Sequence, residues 1–160
     1  MLKRFVFVAA LIGLTAPAFP QANPRGEAEA TVAGKSVSIE YGRPSLKGRD
    51  MLAQARAGQS WRMGSDAATS LTTEVDLDFG DVSVPKGTYI LTATKVDADK
   101  WVMNVLAKDD REKVADVPLT PAKSKEAVET FTIHLTGEGN EGRVKFLWGS
   151  TALNASFTAN

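Results

Sequence analysis

The chain has 160 residues, with 19 basic side chains against 19 acidic ones, one histidine and no cysteine. This length suits one domain of the usual size of about 100–150 residues plus a leader. The charge balance argues against nucleic acid as a partner, because phosphate binding needs a basic surplus, and the lack of cysteine excludes disulfides, thiolate metal sites and a cysteine nucleophile. In chain order, Lys3 and Arg4 precede an apolar run from Phe5 to Leu14, followed by Ala16-Pro17-Ala18. A positive start, a short apolar run and an A-x-A step form a secretory signal peptide. The apolar run falls short of the roughly 20 residues of a membrane span. Cleavage after Ala18 fits best, with Ala22 the alternative, so the mature chain is expected in the periplasm or outside the cell with no transmembrane segment. Loss of Lys3 and Arg4 leaves 17 basic against 19 acidic side chains, a formal charge of −2.

Residues 19–28 read as a flexible leader and 29–160 as a single domain. Val37, Ile39 and Tyr41 alternate with polar neighbours, the period of two of a half-buried strand. Val75, Leu77 and Phe79 do the same. Val82 and Val84 follow, then a Pro85-Lys86-Gly87 turn. Strands are expected over 88–94 and 101–106, and again around Phe131, Ile133 and Leu135. Gly149-Ser150 has glycine first, which suits a type II′ hairpin turn. That turn sets Trp148 opposite Thr151, Phe146 opposite Leu153 and Val144 opposite Ala155 on one face, with Lys145 and Asn154 on the other. Helix is scarce. Asp50 is placed to cap a short helix from Met51 to Arg56, and Thr120-Pro121 to open one through Ala127. Short strands at spacings near ten residues indicate an all-β antiparallel sandwich, for which jelly-roll and immunoglobulin-like arrangements both fit.

Taken together, YGRPSLKGR, GQSWRMGSDAATSLT, VPKGTYIL, ETFTIHL and FLWGSTALNASF resemble the bacterial exported family called domain of unknown function 2911, over about Val37 to Phe157. The chain departs from that pattern at Lys108–Lys113, short and charged where many relatives carry an aromatic-rich insertion. The resemblance implies an exported β-rich domain and lends no reaction.

Catalytic and metal chemistry find little support. His134, the one histidine, alternates outward from Phe131, Ile133 and Leu135, which suits an exposed strand position better than a general base. Ser65 in Met63-Gly64-Ser65-Asp66 lacks the second glycine of a nucleophile elbow. Asp76 and Asp78 fall on the polar face of an alternating strand, and with Asp81 they fit a solvated surface better than a calcium site. No catalytic residue, metal ligand or cofactor is therefore assigned, and the chain reads as non-catalytic.

The segment from Tyr41 to Thr73 carries most of the remaining information. Arg43, Lys47, Arg49, Arg56 and Arg62 fall within twenty residues, against Asp50 and Asp66 as the acids there. Guanidinium groups bind carboxylate or phosphate in bidentate fashion, and Trp61 offers a flat apolar ring. Arg43, Lys47, Arg49, Trp61, Arg62 and Asp66 are the candidate ligand-binding residues, for an anionic or polyhydroxylated small molecule or glycan, with Asp66 the internal partner of one arginine. A structural clasp fastening a long loop across one end of the fold explains the same residues slightly better. The alternatives are a cell-envelope protein-interaction module with an unknown protein partner, using an exposed strand edge, and a hydrolase whose carboxylates the fold brings together.

Overall fold

The computed structural model describes residues 22–160, so the expected signal peptide and the expected cleavage after Ala18 lie outside the described residues. The strands are β1 (Arg25–Val32), β2 (Lys35–Gly42), β3 (Ser60–Trp61), β4 (Ser70–Thr73), β5 (Leu77–Asp78), β6 (Ser83–Val84), β7 (Gly87–Asp97), β8 (Lys100–Ala107), β9 (Lys113–Glu138) and β10 (Glu141–Ala159). Hydrogen bonding runs in the order β1-β2-β4-β7-β8-β9-β10-β5-β6, with β3 beside β7, and all these pairs are antiparallel.

The leader expected over 19–28 is strand from Arg25 onward. Gly26 pairs with Tyr41 and Ala28 with Ile39, and Ala33-Gly34 close the hairpin at φ 51° and 72°. The inward positions Ala28 and Ala30 carry little hydrophobic signal, so the backbone ladder to β2 decides the conformation rather than side-chain burial. The strand expected around Val75 to Phe79 is cut down to Leu77–Asp78. Thr73 Oγ1 donates to Val75 O (2.6 Å) and accepts from Val75 N (3.3 Å), a local loop that ends β4 before β5 begins.

Neither short helix forms. At Asp50 the capping contact is present, Ala53 N donating to Asp50 Oδ1 (3.2 Å), and Gln54 N reaches Asp50 O (3.1 Å). The turn stops there because Arg56 N bonds to Gln59 Oε1 and Ala55 O accepts from Lys95 Nζ, and a single turn cannot sustain itself. Residues 120–127 belong to β9, where Thr120 pairs with Asn154 and Pro121 with Leu153.

The two last strands are long runs that change partners. β9 pairs with β8 through Leu119, then with β10 from Thr120 onward. β10 doubles back on itself. Extended without reversal, its 19 residues would span about 60 Å at ~3.3 Å per residue. Yet Ala159 N donates to Asn140 O (2.8 Å), and a Cβ on Gly142 would collide with the Phe157 ring. Both pairs are centred on Gly149-Ser150. Gly149 has φ 63° and Ser150 is not among the positive-φ residues, as a type II′ turn requires. The chain therefore reverses where the sequence places its turn, with Val144, Phe146, Trp148 and Leu153 buried and Lys145 exposed, while the ladders of both arms run to β9 and β5. β9 passes the end of this turn between Lys123, beside Thr151, and Val128, beside Gly149.

One core joins these pieces. Its fully buried members include Phe131, Phe146, Met63, Leu77, Leu91, Met103 and Leu153, drawn from most of the strands. Each such side chain contributes about 1.5–3 kcal/mol of burial.

Candidate functional site

The segment between β2 and β4 closes one end of the fold, and much of its charge is spent on backbone. Pro44 O accepts from Phe131 N (2.9 Å), Leu46 N donates to Glu129 O (2.9 Å), and Ser45 bridges Thr130, so residues 44–46 zip along the free edge of β9. Arg43 completes this seam. Its Nε donates to Phe131 O (3.3 Å) and its Nη2 to Thr132 Oγ1 (3.3 Å), while its methylenes cross Gly26, where a Cβ would meet them. Lys47 and Gly48 turn the chain outward at φ 50° and 81°, and the Lys47 and Arg49 side chains are exposed.

Residues 62–69 fold back on themselves. Thr69 Oγ1 donates to Met63 O (2.6 Å), and Arg62 Nη2 donates to Asp66 O. Met63 and Asp66 hold positive φ, and Gly42 faces this loop so closely that a Cβ there would collide with Ser65 O. Asp66 is not an arginine's ionic partner. Its carboxylate accepts from Asn23 N (3.1 Å) and Ser65 Oγ (3.2 Å), and only its carbonyl meets Arg62. Among the described residues the one ion pair is the exposed Lys113–Asp116, so none of the five segment cations has a carboxylate partner.

Trp61 is not a free platform either. It sits on β3 against β7, edge-on to Phe131 (ring centroids 4.9 Å apart) and stacked on Trp148 at 5.7 Å and 19°. Phe131 in turn meets Tyr41 at 5.3 Å, and Tyr41 OH accepts from Ile133 N (3.0 Å). The indole N–H of Trp148 is buried in this cluster without an acceptor.

Beside Trp61 the segment leaves a cleft of about 220 Å³. It is lined by Met51, Leu52, Ala55, Gln59, Ser60, Trp61, Arg62 and Trp101, and contains no acid. Of the six candidate residues only Trp61 and Arg62 line it; Arg43, Lys47, Arg49 and Asp66 do not. A second opening of about 400 Å³ lies across the Met51–Ala55 turn and shares Leu52 and Trp101 with the first. Lys95, Asp99, Lys123 and Ser150 stand around it. Lys95 Nζ lies 5.8 Å from the Trp101 ring centroid and donates to Ala55 O (2.9 Å). Lys95 and Trp101 were not among the sequence candidates, although as cross-strand partners flanking the β7–β8 turn they carry a readable signal.

Asp50 ties the turn to the reversal in β10. Its Oδ2 accepts from Ser150 N (2.8 Å) and Ser150 Oγ (2.6 Å). Burial pushes the Asp50 carboxyl upward, but the bonds from the Ser150 hydroxyl and amide and the Ala53 amide outweigh it and hold it below the usual carboxylate value. Elsewhere the acids serve turns, Asp76 Oδ1 accepting from Lys86 N (2.7 Å) and Asp78 Oδ1 from Gly80 N (2.9 Å), while His134 is exposed opposite Lys145.

Fold and site together define an all-β antiparallel domain with one end closed by a loop zipped along β9. Residues 23–157 match the family described as protein of unknown function (DUF2911), and the chain belongs to that family. No curated protein and no solved structure matches the chain.

Proposed function

We propose that the mature chain is an exported, non-catalytic β-sandwich domain that binds a small acidic sugar in the cleft beside Trp61. Export rests on the leader pattern of Lys3-Arg4, the apolar run and Ala16-Pro17-Ala18. The sandwich reading rests on β9, which pairs with β8 and then with β10 around one shared core.

The observation that carries the ligand class is the lining of the cleft. Two indoles, one guanidinium without a carboxylate partner, an amide and a hydroxyl meet there with no acid among them. Trp61, half-buried against Phe131 and Trp148, and the buried Trp101 supply an apolar wall for one edge of a pyranose ring, and a guanidinium grips a carboxylate in bidentate fashion. At about 220 Å³ the cleft lies below the roughly 300–1,000 Å³ of drug-sized sites, which selects a single ring. Arg43 and most of Trp61 belong to the clasp, so Arg62 bears the recognition.

Calorimetric titration of the mature chain with galacturonate, glucuronate and neutral galactose tests this. Binding of the uronates alone, lost in Arg62→Ala, is expected. Absence of heat with either uronate, or full binding by Arg62→Ala, sinks the reading. Mass spectrometry of the exported product checks the leader, with a new amino terminus after residue 18 or 22 expected.

A further inference from the structure

The two clefts are separated only by the Met51–Ala55 turn, and Leu52 and Trp101 line both. That turn is lightly attached. Leu52 is its one fully buried side chain, while Met51, Ala53, Gln54 and Arg56 are exposed. Polar latches hold its two ends, the Asp50 carboxylate on Ser150 and the Lys95 ammonium on Ala55 O. Gly48 and Gly58 flank it at φ 81° and 82°, in backbone that glycine alone adopts without strain, with open space where a side chain would stand. Short segments with few apolar contacts and exposed backbone bonds open at low cost while the core stays folded.

We infer that residues 49–57 form a strap that swings out between Gly48 and Gly58 and joins the two clefts into one trough floored by Trp101. This extends the acidic-sugar reading and rests on it for the ligand: the trough takes an acidic oligosaccharide of several rings, where the Trp61 cleft takes one. Arg62 stands at one end, and Lys95 and Lys123, with Asp99 as the one acid beside them, at the other. Opening takes Ala55 O from Lys95 and frees its ammonium for a second carboxylate. Closed, the strap divides the trough, so an oligosaccharide binds only the open fraction and its affinity is reduced by that fraction.

Hydrogen–deuterium exchange on the mature chain, with titrations of trigalacturonate and galacturonate, tests both parts. In Asp50→Ala the amides of Gln54 and Ala55, whose acceptors are backbone carbonyls that the substitution keeps, are expected to exchange at least about tenfold faster while β7 and β8 keep their wild-type rates. Trigalacturonate should bind this variant more tightly by a similar factor, and galacturonate as in the wild type. Ser150→Ala, which removes one latch bond and keeps the amide, should give a smaller effect of the same kind should Asp50→Ala fold poorly. Unchanged exchange in both variants, acceleration shared equally by β7 and β8, or weaker trigalacturonate binding on loosening the latch overturns the strap. If neither sugar binds the wild type but exchange accelerates only at Gln54 and Ala55, the strap stands and the acidic-sugar reading fails.

Discussion

Phe131→Ala is the most direct probe of the closed end. Phe131 is wholly buried and meets Tyr41, Trp61 and Trp148 at centroid distances of 5.3, 4.9 and 6.0 Å. Removing a buried phenylalanine costs about 3–5 kcal/mol through lost transfer energy and the cavity left behind. Aromatic pairs are worth ~0.5–1.5 kcal/mol each beyond burial, and three are lost here, so the upper part of that range, about 4–5 kcal/mol, is expected. The described 139 residues (22–160) carry an unfolding entropy of about 0.3 kcal/mol/K, so Tm should fall by ~15 °C. Phe131→Leu keeps most of the volume and the backbone seam from Pro44 but loses the same three ring pairs, and should cost about 2–3 kcal/mol. Urea titration followed by tryptophan fluorescence measures both, with an unchanged m-value as the sign that only the folded state is affected. A loss below about 2 kcal/mol for Phe131→Ala, or equal losses for both variants, would refute the packing argument.

Three further outcomes follow from the same geometry. Gly42→Ala drives a Cβ into the Ser65 carbonyl, and Gly142→Ala drives one into the Phe157 ring; each should cost about 1–3 kcal/mol in urea titration, Gly42→Ala nearer the top because backbone yields less than a ring. Arg43→Ala loses two bonds to β9 and should destabilise by about 1–2 kcal/mol, whereas exposed Arg62→Ala should cost less than ~1 kcal/mol; the reverse order in thermal melts would contradict the division between clasp and cleft. Asp50, held below its usual carboxylate value, contributes stability that is fully present above the unfolded value near pH 4 and is lost as pH falls through the folded one. Melting curves between pH 6 and 2 should therefore fall less steeply for Asp50→Asn than for the wild type.

Local pattern made part of this fold legible. The strands around Val37–Tyr41, 88–94 and 101–106 alternate clearly, and glycine-first Gly149-Ser150 specifies its turn by itself, so each was readable within a few residues. β1 was not, because Ala28 and Ala30 are too small to mark a face even though their backbone is fully paired. Thr120-Pro121 reads locally as a helix start, but pairing with Asn154 and Leu153, over thirty residues away, overrides that preference. At the site, residue type was visible and direction was not. Arg43 and Arg62 look alike in sequence, yet one is bound to β9 backbone and the other faces the cleft, which depends on the path taken after Gly42. Lys95 and Trp101 join the cleft only because residues 51–55 cross their strands.

The partner-changing course of β9 has a consequence for how the chain folds. From β7 to β10 each long strand pairs with the next in sequence, through connections as short as Asp97–Lys100 and Glu138–Glu141, so these ladders close small loops. The clasp is the opposite case: Ser45 meets Thr130 and Ala33 N reaches Gly139 O, across most of the length of the domain. Closing those loops costs more chain entropy, so the C-terminal meander is expected to form before the amino-terminal hairpin docks, with higher φ-values for mutations in β7–β10 than in β1–β2. The latest contacts to form during folding are thus expected along the outer seam of β9, at Thr130 and Gly139, and not in the cleft beside Trp61.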